Sequence, residues 1–312
     1  MNVNFDPPRD RVSRSADEGV QIMSALRRLP SFVRRGLRLV MLVALVVPLG
    51  AIWSFEAWFA PRSELWPRWT AHDPAATAAI DHAPWDLFLD TYVVPGADGV
   101  NRVAYARVGT ADRRALADYI DGLAGVAIDA YNRRQQLAYW INLYNALTVK
   151  LVLDHYPVAS VRDIDISPGW FSIGPWDKQL LAIEGVALSL NDIEHRILRP
   201  IWRDARIHYA VSCASIGCPS LLTQAFTAAN AEALLTAAAR DYVNHPRGAR
   251  IEDGRLIVSS LYVWYAEDFG DGDADVIAHL KSCARPGLAA ALAGIERIDD
   301  FTYDWRLNDA PG

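Results

Sequence analysis

The sequence predicts an α+β domain, helix-dominated with a small, mostly antiparallel sheet, preceded by one N-terminal transmembrane helix. Three observations carry that prediction. From Arg133 to His155 the apolar residues Leu137, Ile141, Tyr144, Leu147 and Leu151 recur at helical spacing, and Pro157 stops the run. The stretch Ile251-Glu252-Asp253-Gly254-Arg255-Leu256-Ile257-Val258 is a β-hairpin around an Asp-Gly turn. From Leu39 to Phe55 no residue carries a charge.

Taken in order, residues 1–33 are polar, contain Pro7 and Pro8, and show no apolar face, which is the composition of a disordered cytoplasmic tail. Residues 34–60 form the anchor or signal. The uncharged run rises about 26 Å at ~1.5 Å per residue, marginal for a ~30 Å hydrocarbon core but adequate with Trp53 and Trp58 at the far interface. Arg27, Arg28, Arg34, Arg35 and Arg38 precede it, so the positive-inside rule leaves the amino terminus in the cytoplasm. The expected location is the inner membrane, single-pass, with the C-terminal domain in the periplasm. A cleaved signal is the rival reading, but a cut after Ala51 or Ala60 would put Leu49 or Trp58 where a small residue is needed.

Residues 61–80, with Pro61, Pro67 and Pro74, read as a linker, and 81–312 as the globular domain. Within it, Trp85, Phe88, Leu89 and Tyr92 begin a helix and Pro95 to Gly99 marks a turn. Further helices are expected over 111–124, 190–199 with Ser189 as N-cap, 228–243, from about Ser260, over 273–284 and over 286–293. Strands are expected at 206–212 and 298–305, and a Gly/Pro/Trp-rich loop runs from Ser167 to Trp176. With 11 Trp, 12 Tyr and 9 Phe the chain can bury a sizeable core. The net charge of −6, with no basic stripe after residue 60, argues against a nucleic-acid partner.

Three segments place polar groups where apolar ones would be cheaper. In the helix 133–155, Gln135, Asn142 and Asn145 share one stripe, and a buried amide needs specific partners. It either clamps a neighbouring loop or lines a site. In Ser189-Leu190-Asn191-Asp192-Ile193-Glu194-His195, a Glu-His pair beside an Asn can orient an imidazole for general-base work, or simply cap a helix and pair with Arg196 and Arg199. Third, His208, Cys213 and Cys218 lie on the expected strand and the small-residue loop that leaves it. Cys213 there is a candidate acyl-transfer nucleophile if a histidine holds it as thiolate, with loop amides as oxyanion donors. A Cys213–Cys218 disulfide and a zinc site shared with His208 and His195 are the competing readings.

Three ordered motifs resemble those of the domain-of-unknown-function family 547: Gln136-Leu137-Ala138-Tyr139-Trp140-Ile141-Asn142-Leu143-Tyr144-Asn145-Ala146, Ser189 through His195, and His208-Tyr209-Ala210-Val211-Ser212-Cys213 through Cys218-Pro219. Trp264-Tyr265 with Asp268-Phe269 also fits, so the resemblance spans about residues 80–305. It implies an exported bacterial protein of unsettled activity.

The functional expectation is therefore a thiol-dependent hydrolase or acyl transferase in the cell envelope. Its catalytic candidates are Cys213, His208, His195, Glu194, Asn142 and Asn145, and its binding candidates Gln135, Ser215, Cys218, Trp264 and Tyr265. The alternatives are a non-catalytic binding or scaffold module crosslinked by Cys213–Cys218, and a metal-binding protein. No cofactor is expected. The partners are the membrane, through residues 39–60, and an unknown small molecule, peptide or glycan.

Overall fold

The central element is a helix that is apolar on nearly every side, so it must be enclosed by others. It runs over Arg133–His155, the bounds its periodicity predicts. Asn132 caps it, its side chain accepting from the amides of Arg134 and Gln135 at 3.1 Å each. Trp140, Ile141, Leu143, Leu147 and Val152 are all buried.

The computed structural model describes residues 61–168 and 174–311. The expected tail (1–33) and membrane segment (34–60) lie outside the described residues, as does Trp170 of the predicted loop. Among the described residues no helix is long and apolar enough to cross a membrane. Helices α1 (Ala83–Tyr92), α2 (Thr110–Ala124) and α3 (Arg133–His155) come first, with a hairpin of β1 (Val93–Pro95) and β2 (Asn101–Val103) after α1. A second hairpin, β3 (Leu181–Ile183) and β4 (Val186–Leu188), leads into a π-helical stretch, Asp192–Leu198, continued by α4 (Arg199–Trp202). Then follow α5 (Ala231–Val243), β5 (Ala249–Glu252), β6 (Arg255–Ser259), α6 (Leu261–Trp264), α7 (Ala266–Phe269), α8 (Asp273–Cys283), α9 (Pro286–Ala291) and β7 (Asp300–Thr302).

The described chain is thus helix-rich with three small sheets, antiparallel except for the β6–β7 pairing, which is parallel. These residues lie within one unit, Ala60–Gly312. One apolar core surrounds α3; a second, with Tyr209, Tyr242, Leu256, Tyr262 and Leu280, lies among α5, the β5–β6 hairpin and α8.

The Asp253-Gly254 turn forms as predicted, with φ of +51° and +76°, as a two-residue hairpin with both central residues left-handed requires. The 61–80 segment packs down on the domain: Trp69 is buried, and the Glu64 and Trp66 amides donate to the carbonyls of His195 and Arg196 at 2.9 and 3.0 Å. Two expectations need correction. The last strand is shorter than 298–305, only Asp300–Thr302. Residues 206–212 are not a strand: Ala205–Tyr209 is a 3₁₀ turn. There Asp204 accepts from the Arg206 amide at 2.9 Å, the Val211 amide returns to the Ile207 carbonyl, and the Ser212 amide goes to a side chain. Ile207, His208 and Tyr209 are consecutive and all buried, so the apparent alternation did not mark one inward face.

Candidate functional site

The thiol loop, residues 213–218, is held from three directions. Asn145 on α3 grips the chain just before it: its Nδ2 donates to the Ala210 carbonyl at 2.8 Å and its Oδ1 accepts from the Ser212 amide at 2.8 Å. The C-terminal segment 303–309 runs alongside, with the amides of Ile216 and Gly217 donating to the carbonyls of Arg306 and Asp304 at 2.8 Å each, and the Asn308 amide to that of Ala214 at 3.0 Å. From α5, Tyr242 donates its hydroxyl to the Gly217 carbonyl at 2.7 Å. A Cβ on Gly217 would lie 2.6 Å from the Asp304 nitrogen, so only glycine admits this close approach. Ala214 takes a left-handed φ of +64°, which turns the chain back so that Cys218 meets Cys213.

Within this frame Cys213 is half-buried and Cys218 buried, both as free thiols. The Cys213 amide donates to the Cys218 sulfur at 2.9 Å. The Cys213 sulfur lies 3.1 Å from the Ser215 hydroxyl and 3.2 Å from that of Tyr303. Hydrogen bonding from the Cys218 thiol lowers the Cys213 pKa; burial opposes it, but Ser215, Tyr303 and the Ser215 amide add to the stabilisation, bringing it to about 7. Burial and the neighbouring Cys213 push Cys218 well up. Burial likewise raises Tyr303 far above its ordinary value, so its phenol stays protonated.

The histidines belong to a second, ionic cluster. The Ser189–Asp192 capping box forms as expected, with the Asp192 amide on Ser189 Oγ at 3.1 Å and the Ser189 amide on Asp192 Oδ2 at 3.0 Å. The following turn is widened, the Arg199 amide bonding the Glu194 carbonyl, which puts Glu194, His195 and Arg199 together on the buried side. Arg199 donates to Asp268 at 2.5 Å, Glu267 at 2.8 Å, the Pro61 carbonyl at 2.8 Å and His195 Nδ1 at 2.9 Å. His208 sits between two carboxylates, Nε2 at 2.6 Å from Asp268 and Nδ1 at 3.5 Å from Glu194. Tyr265 stacks on the His208 ring at 4.4 Å, with the Arg199 guanidinium 4.8 Å from its own.

Burial alone would raise the Glu194 carboxyl, but His195, His208 and Arg199 hold it down at about 2. Burial lowers His195 to about 4 against the pull of Glu194. Burial also works against a charged His208, yet Asp268 and Glu194 outweigh it and the pKa is raised. Near neutral pH, His195 is thus a neutral ring accepting from Arg199, while the two carboxylates beside His208 favour its charged form.

These values predict the acid response of the fold. His195 and, through burial, His82 have folded values of about 4 against 6.5. The unfolded chain therefore binds more protons between those values, and stability falls as pH drops through that window. Glu194 extends the loss: its contribution is full above 4.5 and disappears as pH falls to about 2. His208 acts oppositely, stabilising fully below 6.5 and less as pH rises through its raised value. Urea midpoints at pH 7, 5.5 and 4.5 are expected to decline steadily, with a shallower decline in His82→Gln. A midpoint that climbs on acidification would mean that His208 outweighs His195 and His82 in this range.

Of the sequence candidates, Glu194, His195 and His208 converge in the ionic cluster, and Cys213, Ser215 and Cys218 in the loop. Tyr265 joins the ionic cluster, its ring 4.4 Å from that of His208 and 5.5 Å from that of His195. The expected imidazole–sulfur contact does not form among the described residues: Asp268 holds His208 Nε2, Glu194 lies 3.5 Å from His208 Nδ1, and Arg199 donates to His195 Nδ1. Asn142 and Asn145 do not orient an imidazole either. Asn142 embraces Phe226, donating to its carbonyl at 2.7 Å and accepting from its amide at 3.0 Å, and Asn145 holds the thiol loop. Gln135, ten residues before Asn145 and so about 15 Å along the helix, accepts from the Ile80 amide at 3.3 Å, away from both clusters. Trp264 packs on Tyr303 at 4.8 Å and Trp305 at 5.5 Å. The loop amides expected as oxyanion donors are mostly engaged, those of Ser212, Ile216, Gly217 and Cys218 by other partners and that of Cys213 by sulfur. Among the described residues no three His, Cys, Asp or Glu side chains are grouped to hold a metal ion.

Sequence reasoning missed Tyr303, which had no motif around it, and gave Arg199 and Asp268 no part in the site. Asp268 was visible only as part of a motif, and Arg199 as a surface ion-pair partner rather than a buried hub.

No curated protein and no solved structure matches the chain. A family model described as "Protein of unknown function, DUF547" matches residues 128–243, a narrower span than the motifs suggested. That match takes in α3, the π-helical stretch and the thiol loop, and it supports the resemblance of this chain to the DUF547 family.

Proposed function

We propose that this domain is a thiol-dependent acyl transferase or hydrolase with Cys213 as nucleophile, tethered in the cell envelope by residues 39–60. The observation that carries the reading is the setting of the Cys213 sulfur: half-buried, with the Ser215 and Tyr303 hydroxyls at 3.1 and 3.2 Å and the Cys218 thiol as a further donor. Such donors favour the thiolate, the nucleophilic form, without an imidazole. The thiolate attacks a carbonyl carbon, forming a C–S bond and an oxyanion. Collapse re-forms the carbonyl and expels the leaving group, which is protonated by solvent where it is basic; water or a second nucleophile then adds to the thioester carbonyl, gives up its proton to solvent and expels the Cys213 thiolate. Trp264, Tyr303 and Trp305 supply half-buried rings beside the sulfur, a surface suited to a small molecule, peptide or glycan. The tether rests on the apolar run and its preceding arginines.

The test is p-nitrophenyl acetate. A burst of p-nitrophenolate with an acetyl adduct on the Cys213 peptide is expected, lost in Cys213→Ala and slowed at pH 7 in Tyr303→Phe, which removes a hydroxyl donor to the thiolate. A burst that survives Cys213→Ala, or an adduct on another residue, would remove the reading.

A further inference from the structure

The geometry points to a second activity in the same loop: Cys213 and Cys218 form a reversible dithiol–disulfide pair, with Cys213 the attacking and Cys218 the resolving sulfur. This goes beyond acyl transfer and does not depend on it, because it needs only two sulfurs held together with unequal access to solvent.

Four observations carry it. The Cys218 sulfur accepts from the backbone amide of Cys213 at 2.9 Å, so the second sulfur already lies against the residue that carries the first. Access is unequal: Cys213 is half-buried and Cys218 buried, so an incoming disulfide meets Cys213 first. The loop between them is pinned by Asn145, Tyr242 and the amide bonds to residues 304 and 306, and the left-handed Ala214 closes it. The Cys218 sulfur also lies 3.9 Å from the Val211 carbonyl. A buried thiol packed only as a small hydrophobe would have no reason to face a nucleophilic sulfur.

The chemistry balances with a disulfide as co-reactant. The Cys213 thiolate attacks a substrate disulfide R–S–S–R′, forming a mixed disulfide with R–S and expelling R′–S⁻. Cys218 gives up its proton, and its sulfur attacks the Cys213 sulfur, expelling R–S⁻. The pair loses two electrons and two protons, and the substrate becomes two thiols. With the pair oxidised, the steps run in reverse and oxidise a dithiol.

The test uses the full chain carrying Cys283→Ser, so that the pair holds the only thiols. It is equilibrated in graded reduced and oxidised glutathione, acid-quenched, trapped with maleimide and analysed by peptide mass. The expected result is one reversible two-electron transition that loses two hydrogens within the Cys213–Cys218 peptide. In a Cys218→Ser version, a glutathione mixed disulfide is expected on Cys213, lasting at least ~100-fold longer than with Cys218 present, as an intramolecular attacker implies. Two outcomes overturn the inference. In one, the protein with both thiols accumulates the glutathione adduct without resolving it. In the other, a Cys213–Cys218 bond forms but resists dithiothreitol in the folded protein, which would make it a structural crosslink. Both are read without the Cys218→Ser variant, so its failure to fold would not blunt the test. An acetyl adduct without the couple removes this inference alone; the couple without an acetyl adduct removes the acyl-transfer reading alone.

Discussion

Arg199→Ala is expected to destabilise the domain by about 3–5 kcal/mol, the cost of breaking a buried ion pair from one side. The guanidinium is 1% exposed as a side chain and contacts Asp268, Glu267, His195 and the Pro61 carbonyl. Removing it leaves Asp268 and Glu194 facing His208 as their remaining close cation. It also frees the carbonyl of Pro61, where the chain first joins the cluster. Because Glu267 is half exposed, its pairing contributes little; most of the loss comes from Asp268 and His195. Arg199→Lys keeps the charge but not the planar fork, so it should fall between the two. Urea unfolding at pH 7 measures both, and a loss below about 1 kcal/mol for Arg199→Ala would mean that water replaces the guanidinium easily.

Asn145→Ala comes second. It strips the Ser212 amide and the Ala210 carbonyl of their partner in a buried setting, and each orphaned group costs about 1–3 kcal/mol. Asn145→Asp keeps the acceptor for Ser212 but turns a carboxylate oxygen toward the buried Ala210 carbonyl, so it should cost at least as much as alanine. The functional consequence reaches the thiols, because Ser212 immediately precedes Cys213. Hydrogen exchange at the Ser212 amide should speed up in Asn145→Ala before global unfolding does. Unchanged exchange there would mean that the C-terminal segment alone fixes the loop.

Much of this molecule is legible in its sequence, for identifiable reasons. The helix Arg133–His155 is set by local signals, a capping Asn132, an apolar stripe and Pro157, and its bounds match. The Asp253-Gly254 hairpin is equally local. The buried asparagines also announce themselves, since amides among apolar residues need partners, but the sequence cannot say which. Here the backbones of Phe226, Ala210 and Ser212 took them, not an imidazole. The 206–212 segment misleads because both its faces are covered, so alternation loses its meaning. The β3–β4 hairpin escapes notice because three-residue strands give too short a pattern and its Glu184-Gly185 turn has Glu where Asn or Asp marks such a turn. In the site, Cys213, Ser215 and Cys218 are adjacent in sequence and were found together. Tyr303 reaches Cys213 across a separation of 90 residues, through a C-terminal segment whose pairing with the loop is mostly backbone and leaves no trace in residue identity.

The account stands on the Cys213 thiolate being stabilised by Cys218, Ser215 and Tyr303 rather than by a histidine. The rate of Cys213 alkylation by iodoacetamide, followed by peptide mass across pH 5 to 10, measures this most directly. The account predicts a midpoint at about 7, shifted upward by Tyr303→Phe and unmoved by His195→Gln. A midpoint at the ordinary thiol value of about 8.5 or above, or one that follows His195 and ignores Tyr303, would contradict it.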